Sequence, residues 1–206
     1  RVGLIARGVR RERARWPRAL LQPLVPLRLG WVGAGELAML SAVEASGQPF
    51  TLAGETLLCA MYVNELALRL TARNDQNPDL FALYAQTLAR LAEDDVVGWT
   101  LRRFERDLLA ELGYALLLDI EADSGESVTS DADYVYVPEH GAVPWRGQSG
   151  ALRVRGAALL ALAEDVQPDV TDLAVLRRLL RAVIQHHLGG GSLLSWSLLG
   201  TPPLER

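Results

Sequence analysis

The stretch from Leu57 to Leu70, LLCAMYVNELALRL, is the strongest indication of the fold. Its apolar residues recur every three or four positions, which is the repeat of an amphipathic helix rather than of a strand. The pattern starts after Leu52 and stops near Asn74, so it predicts a helix of about five turns. A helical domain therefore begins close to residue 50.

Helical patterns continue toward the C-terminus. Asn77 and Pro78 open a second helix, with Pro78 at the first position, where its missing N–H is not needed. A third helix begins near Gly98, and Gly113 is placed to cap its C-terminal end. Further helical patterns cover residues 156–164, 171–188 and 193–199, and three glycines from Gly189 end the second of these.

Upstream of the first helix the chain has the shorter repeat of β structure. Residues 2–7 and Leu27–Leu29 alternate in the manner of strands, and a glycine-rich turn at residues 30–35 precedes another strand over residues 36–45. Strands and helices are thus segregated, which predicts an α+β fold. The predicted domains are residues 1–48 and residues 49–206.

An acidic segment interrupts the helical domain. Residues 119–139 contain seven acidic residues and no basic one. We predict a small irregular insert at about residues 115–155, with one strand at Tyr134–Val137. The spacing of the acids does not match the calcium loop of an EF-hand, so no calcium site is predicted.

Positive charge is concentrated at the opposite end of the chain. All 21 basic residues are arginine, and eight of them lie in the first 28 residues beside a single acid, for a net charge of +7. The remaining residues carry 13 arginines against 24 acids, for a net charge of −11. This asymmetry indicates an anion-binding segment on an acidic body.

The densest arginine run lies between residues 7 and 18. Guanidinium groups there can neutralise phosphates and release counterions, and a tryptophan face can stack on a base. The alternatives are an acidic protein partner or a solvated loop. The candidate nucleic-acid contacts are Arg7, Arg10, Arg11, Arg13, Arg15, Trp16 and Arg18.

Two further groups of arginines lie within helical patterns: Arg102, Arg103 and Arg106 in the third helix, and Arg177, Arg178 and Arg181 in the long C-terminal one. Amphipathic helices need a charged face, so the pattern alone favours ordinary solvation. Arg103 and Asp107 lie four residues apart and are predicted to form an ion pair.

No active site is recognisable. The chain has one cysteine, Cys59, which excludes a disulfide within it and indicates a small core residue. His186 and His187 are adjacent on a helix and point about 100° apart, so they do not converge on one metal ion. Without lysine there is no phosphate loop of the Walker type. We therefore expect a protein that is not an enzyme, and the apolar runs are too short to span a membrane.

Three segments together resemble the RecO family. They are RVGLIARGVRR at residues 1–11 followed by ALLQP at 19–23, YVNEL at 62–66, and LRRFE at 101–105 followed by LGY at 112–114. Their order and spacing match the family over most of the chain. The resemblance implies an N-terminal OB-fold, incomplete here because about 30 residues of the usual family N-terminus would precede Arg1.

The resemblance also implies a function. Family members are cytoplasmic, nucleoid-associated recombination mediators that bind and anneal single-stranded DNA, engage single-strand-binding protein and act with RecR to load RecA. The arginine run falls where family members contact DNA. Some relatives carry a four-cysteine zinc module where this chain has the acidic insert, and because the insert has no cysteine we predict neither zinc nor another cofactor.

Tail recognition is the second implied activity. Family members hold the acidic, phenylalanine-ended tail of single-strand-binding protein in an apolar pocket with a basic rim. A guanidinium binds a terminal carboxylate through two parallel hydrogen bonds, while a leucine packs against the ring. The residues assigned to this role are Leu101, Arg102, Arg103, Leu176, Arg178 and Arg181.

Two other classes of function stay open. One is a protein adaptor that binds acidic tails, with DNA contact incidental. The other is a small helical hydrolase that uses His186 or His187.

Overall fold

The computed structural model describes residues 1–9, 16, 18–33, 35–93 and 96–199. The chain forms two compact units, one from Arg1–Leu52 with Thr71–Gln76 and the other from Ala53–Leu70 with the chain from Asn77 onward. Small sheets and helices occupy separate parts of the described chain, which confirms the predicted α+β class.

The first unit contains a three-stranded sheet. Its strands are β1 (Leu4–Ile5), β2 (Leu27–Val32) and β3 (Ala38–Ala45), and their order in the sheet is β1-β3-β2. The β1–β3 pairing is parallel and the β2–β3 pairing is antiparallel. An OB-fold has five strands, so the barrel remains a prediction.

One detail of this sheet corrects the sequence analysis. Gly30 was assigned to a turn, but it lies within β2 opposite Ala42. A Cβ at Gly30 would lie 3.2 Å from the Cβ of Ala42, so the glycine permits close approach of the two strands. The register shifts after Gly30, and this irregularity hides the strand from an alternation pattern.

The second unit begins with three helices at the predicted places. They are α1 (Gly54–Leu70), α2 (Pro78–Ala92) and α3 (Val97–Glu111). The side chain of Asn77 caps α2 by accepting a hydrogen bond from the Leu80 N–H at 2.9 Å. Gly113 has φ of 85°, and the next N–H, that of Tyr114, donates to the Leu109 carbonyl, as in a Schellman cap.

The acidic insert is more regular than predicted. Strands β4 (Asp133–Val137), β5 (Gly141–Pro144) and β6 (Arg153–Arg155) form an antiparallel sheet in the order β5-β4-β6. The prediction of an irregular insert with one strand was therefore wrong. The two extra strands have four and three residues, which is too short for an alternating pattern to be recognised.

The remaining helices are α4 (Gly156–Ala163), α5 (Val170–His187) and α6 (Leu194–Leu198). Helix α3 lies at the centre of the unit, because it packs against α1, α2, α4 and α5. The fully buried residues of this core include Phe104, Leu108 and Leu109 of α3 and Leu176, Leu180 and Ile184 of α5.

Gly156, at the junction of β6 and α4, provides a test of this packing. A Cβ there would lie 1.9 Å from the Thr129 carbonyl oxygen, so backbone atoms would have to move. We expect Gly156→Ala to lower the free energy of unfolding by about 3 kcal/mol in urea denaturation. In Gly98→Ala the new methyl group meets only the side chain of Leu173, and the change should stay within about 1 kcal/mol. Equal effects of the two substitutions would contradict this account.

Candidate binding pocket

A pocket of about 110 Å³ opens in the helical unit among α1, α3, α5 and α6. Three of the six residues assigned to tail binding, Leu101, Arg102 and Arg181, line it. Its other lining residues are Glu55, Cys59, Tyr62, Val97, Gly98, Glu105, Arg177, Trp196 and Leu199. Apolar surface and charged groups of both signs therefore meet in one cavity.

Arg102 forms the floor of the pocket and not its rim. The residue is only 5% exposed, although sequence analysis placed it on the solvated face of its helix. Its Nε donates to Oε2 of Glu105 at 2.7 Å, and its Nη2 bonds to the other carboxylate oxygen. The hydroxyl of Tyr62 on α1 donates to the same carboxylate at 2.6 Å.

The local electrostatics explain how this charge is tolerated inside the protein. Burial alone would lower the pKa of Arg102, but the Glu105 carboxylate raises it above its usual value. Burial and then Glu105 raise the pKa of Tyr62 well above 10, so the phenol keeps its proton. Arg102 therefore stays charged, and the Glu105 carboxylate balances its charge inside the protein.

Arg177 and Arg181 provide the positive side of the pocket. They lie four residues apart and share one face of α5. The guanidinium carbon of Arg181 lies 4.3 Å from the ring centroid of Trp196, in a cation–π contact. Burial, and then the charge of Arg177, lower the pKa of Arg181. An anionic group bound between these two arginines would offset both effects.

The other residues assigned to tail binding lie elsewhere. Arg103 donates to Asp165 at 2.5 Å, so the predicted pair with Asp107 is wrong. Asp107 pairs with Arg106 instead. Leu176 is fully buried in the core, and Arg178 is exposed and does not line the pocket.

Helix α6 supplies the residue that sequence analysis missed, Trp196. Glu65 of α1 anchors this helix, because its carboxylate accepts hydrogen bonds from the N–H groups of Leu194 and Ser195 at 2.7 and 2.8 Å and from the Ser195 hydroxyl at 2.6 Å. The only sign of this role in the sequence was a tryptophan within a short helical pattern near the C-terminus. Its partners on α1 and α5 could not be read from a repeat.

The N-terminal candidates are only partly described. Arg7 and Arg18 are exposed and Trp16 is half-buried. Arg10, Arg11, Arg13 and Arg15 lie outside the described residues. Their assignment to DNA binding therefore stays a prediction.

Metal sites and membrane-spanning helices are both absent from the described part of the chain. No group of three or more histidine, cysteine, aspartate and glutamate side chains there is arranged to hold a metal ion. No helix there combines the length and the apolar character needed to cross a membrane.

The fold and the pocket together define a helical binding domain preceded by a small β unit. A family model described as "Recombination protein O C terminal" matches residues 52–197, which is most of the helical unit. The chain therefore belongs to the RecO family, as the resemblance implied.

Individual relatives agree with the family model. The chain is 46% identical over 203 residues to the DNA repair protein RecO of Xanthomonas euvesicatoria, an alignment that covers 97% of this chain and 84% of the relative. It is 43% identical over 202 residues to that of Stenotrophomonas maltophilia, with coverages of 97% and 84%. The protein of the same name from Nitrosococcus oceani is 43% identical over 200 residues, with coverages of 97% and 81%.

The buried network predicts a large effect at Glu105. Glu105→Ala leaves the Arg102 guanidinium buried without its counter-charge, which should cost about 3–5 kcal/mol of unfolding free energy in urea denaturation. Glu111→Ala, at the exposed end of the same helix, is the matched control. Replacing the pair together, with Arg102→Met and Glu105→Leu, should recover part of the loss, because the buried charge is removed while the Tyr62 hydroxyl still lacks its acceptor. A small effect of Glu105→Ala alone would show that the network is dispensable.

The anchor of α6 predicts a pH dependence. Burial raises the pKa of Glu65, but the hydrogen bonds from Ser195 and Leu194 outweigh it and hold the pKa below 4.5. The anchor therefore contributes fully above pH 4.5 and is lost as pH falls through the lowered pKa. We expect the protection factors of the α6 amides, which are corrected for the intrinsic exchange rate at each pH, to fall below pH 4.5, and Glu65→Ala to show low protection already at pH 7. Slow exchange in that variant would contradict the anchor.

Proposed function

We propose that this chain is a non-catalytic recombination mediator in DNA repair. It binds and anneals single-stranded DNA, engages the tail of single-strand-binding protein and acts with RecR to load RecA. Membership of the RecO family and the name of its relatives, DNA repair protein RecO, support the general assignment. The proposed specific activities rest on the residues of the pocket and of the N-terminal segment.

The observation that carries the proposal is the pocket that joins Arg177, Arg181 and Trp196. A carboxylate at the end of a peptide would meet two guanidinium groups, each able to form parallel hydrogen bonds. A phenylalanine ring at the same terminus would pack against Trp196 and Leu101. An acidic, phenylalanine-ended tail therefore has the chemistry that the pocket complements.

DNA binding rests on the charge of the N-terminal segment. Its net charge of +7 would neutralise several phosphates, and for single strands each neutralised phosphate adds about −0.7 to the slope of log affinity against log salt. Trp16 offers a face for base stacking. Because the rest of the chain has a net charge of −11, we expect phosphates to bind at the N-terminal segment rather than there.

A protein adaptor is the alternative that the structure also supports. The pocket alone suffices to bind acidic tails, and most of the predicted DNA contacts lie outside the described residues. The two functions differ in whether the protein binds DNA with a steep dependence on salt.

The experiment measures both ligands by fluorescence anisotropy. The probes are a labelled oligo-dT and a labelled acidic peptide ending in phenylalanine, with the C-terminal amide of that peptide as a control for the carboxylate. Arg177→Ala should weaken peptide binding about tenfold through loss of a charge-assisted hydrogen bond. Arg178→Ala is the matched control, because the residue is adjacent, exposed and outside the pocket.

The DNA arm uses Arg10→Ala together with Arg11→Ala. This variant should weaken oligo-dT binding, flatten the salt slope and leave peptide binding unchanged. Peptide binding without DNA binding would favour the adaptor. Binding of neither probe, or equal effects of Arg177→Ala and Arg178→Ala, would contradict the proposal.

A further inference from the structure

A second pocket, of about 180 Å³, lies at the C-terminal end of α5. Its walls are the end of α5, the segment that follows α3 and the turn between β4 and β5. The residues that carry the argument are Tyr114, Tyr136, Glu139, His140 and His187. None of them belongs to the pocket assigned to tail binding, so the inference is independent of the proposed function.

His187 is the least expected of these residues. Its side chain is only 6% exposed, and within the described residues it makes no side-chain hydrogen bond. The ring stacks on Tyr114 at a centroid distance of 4.1 Å, and Nδ1 lies 4.0 Å from Oε1 of Glu139. Burial, and then the charge of His186, lower the pKa of His187 below 6.5. At neutral pH the pocket therefore contains an uncharged imidazole, one ring nitrogen of which can accept a hydrogen bond.

Glu139 brings a carboxylate to the same pocket from an unfavourable backbone position. The turn from Val137 to His140 is closed by a 3.1 Å hydrogen bond, and its third residue, Glu139, has φ of 63°. Glycine or asparagine is the usual residue there. Here the left-handed position holds Glu139, whose Oε1 lies 3.3 Å from Nε2 of His186.

Tyr136 supplies a third polar group. Burial raises its pKa to about 12, although a hydrogen bond from the backbone of Leu117 acts in the opposite direction. The phenol is therefore protonated and uncharged. Leu116 and Val183 complete the wall with apolar surface.

The negative charge around the pocket favours the binding of a cation. No arginine is among the lining residues. The acidic segment runs past the pocket, since Glu121 pairs with Ala142 beside Gly141 of the wall, and Asp123 contacts His140 at 2.8 Å. A phosphate-bearing ligand would be repelled here, whereas a basic group would be attracted.

We propose that this pocket binds an arginine side chain presented by a protein partner, which the acidic insert attracts. A guanidinium has several N–H donors in one plane, so it can bond to the Glu139 carboxylate and to the imidazole of His187 at once. Tyr114 is 47% exposed, which leaves ring surface for a cation–π contact. A lysine ammonium lacks this planar arrangement.

The test uses NMR of the full chain titrated with N-acetylarginine amide. The chain has three histidines, so single substitutions of His140 and His186 assign the imidazole signals. We expect saturable shifts of the His187 signals with the arginine compound. N-acetylcitrulline amide, its neutral isostere, should bind at least about tenfold more weakly, because it lacks the charge.

A pair of glutamate variants distinguishes binding at this pocket from a general attraction to the acidic insert. Glu139→Gln should weaken arginine binding about tenfold, whereas Glu126→Gln, which removes an exposed acid of the same insert, should leave it unchanged. Tyr114→Leu should weaken it by a smaller factor. Equal binding of arginine and citrulline, or equal effects of the two glutamate variants, would overturn the proposal. Saturable shifts of the same signals by oligo-dT would also overturn it in favour of a nucleic-acid site.

Discussion

The helical unit depends on one buried charge pair, Arg102 with Glu105, joined by the hydroxyl of Tyr62. The pair belongs to α3, the helix against which most of the unit packs, and Tyr62 ties it to α1. A buried charge is tolerated only when it is paired and its hydrogen bonds are satisfied, so this network restricts how α1 and α3 can pack. That arrangement forms the floor on which Arg177, Arg181 and Trp196 converge.

The same network marks the limit of what the sequence could predict. The helices were predictable because periodicity and caps such as Asn77 and Gly113 are local signals. Periodicity assigns a residue to a face of its helix but does not identify the residue that meets it from another helix. Arg102 was therefore placed in solvent, although its counter-charge Glu105 lies three residues away on the same helix and itself accepts a hydrogen bond from Tyr62, 43 residues earlier.

The candidate site illustrates the same limit for function. The resemblance assigned tail binding to arginines of α3 and α5, but it could not distinguish Arg177 from Arg178, which are adjacent in sequence and about 100° apart on the helix. Trp196 was missed because its role depends on Glu65, which holds a five-residue helix in place from 130 residues away. In the β regions, the register shift after Gly30 interrupts the alternation of β2, and β5 and β6 are too short for a repeat to be recognised.

The distribution of charge gives a physical reason why one small chain could bind each of the proposed ligands at a different place. Arginines dominate the first 28 residues, a pair of arginines lines the first pocket, and Glu139 lines the second, with Asp123 in contact with its wall at His140. A DNA phosphate and a peptide carboxylate both seek guanidinium groups, so they compete unless the positive sites differ in shape. The first pocket differs because it is small and combines apolar surface with charged groups, which would favour a chain terminus over a continuous phosphate backbone. Under the two proposals the acidic segment would serve two purposes, since it would repel DNA from the helical unit and offer a surface of opposite sign to a basic partner.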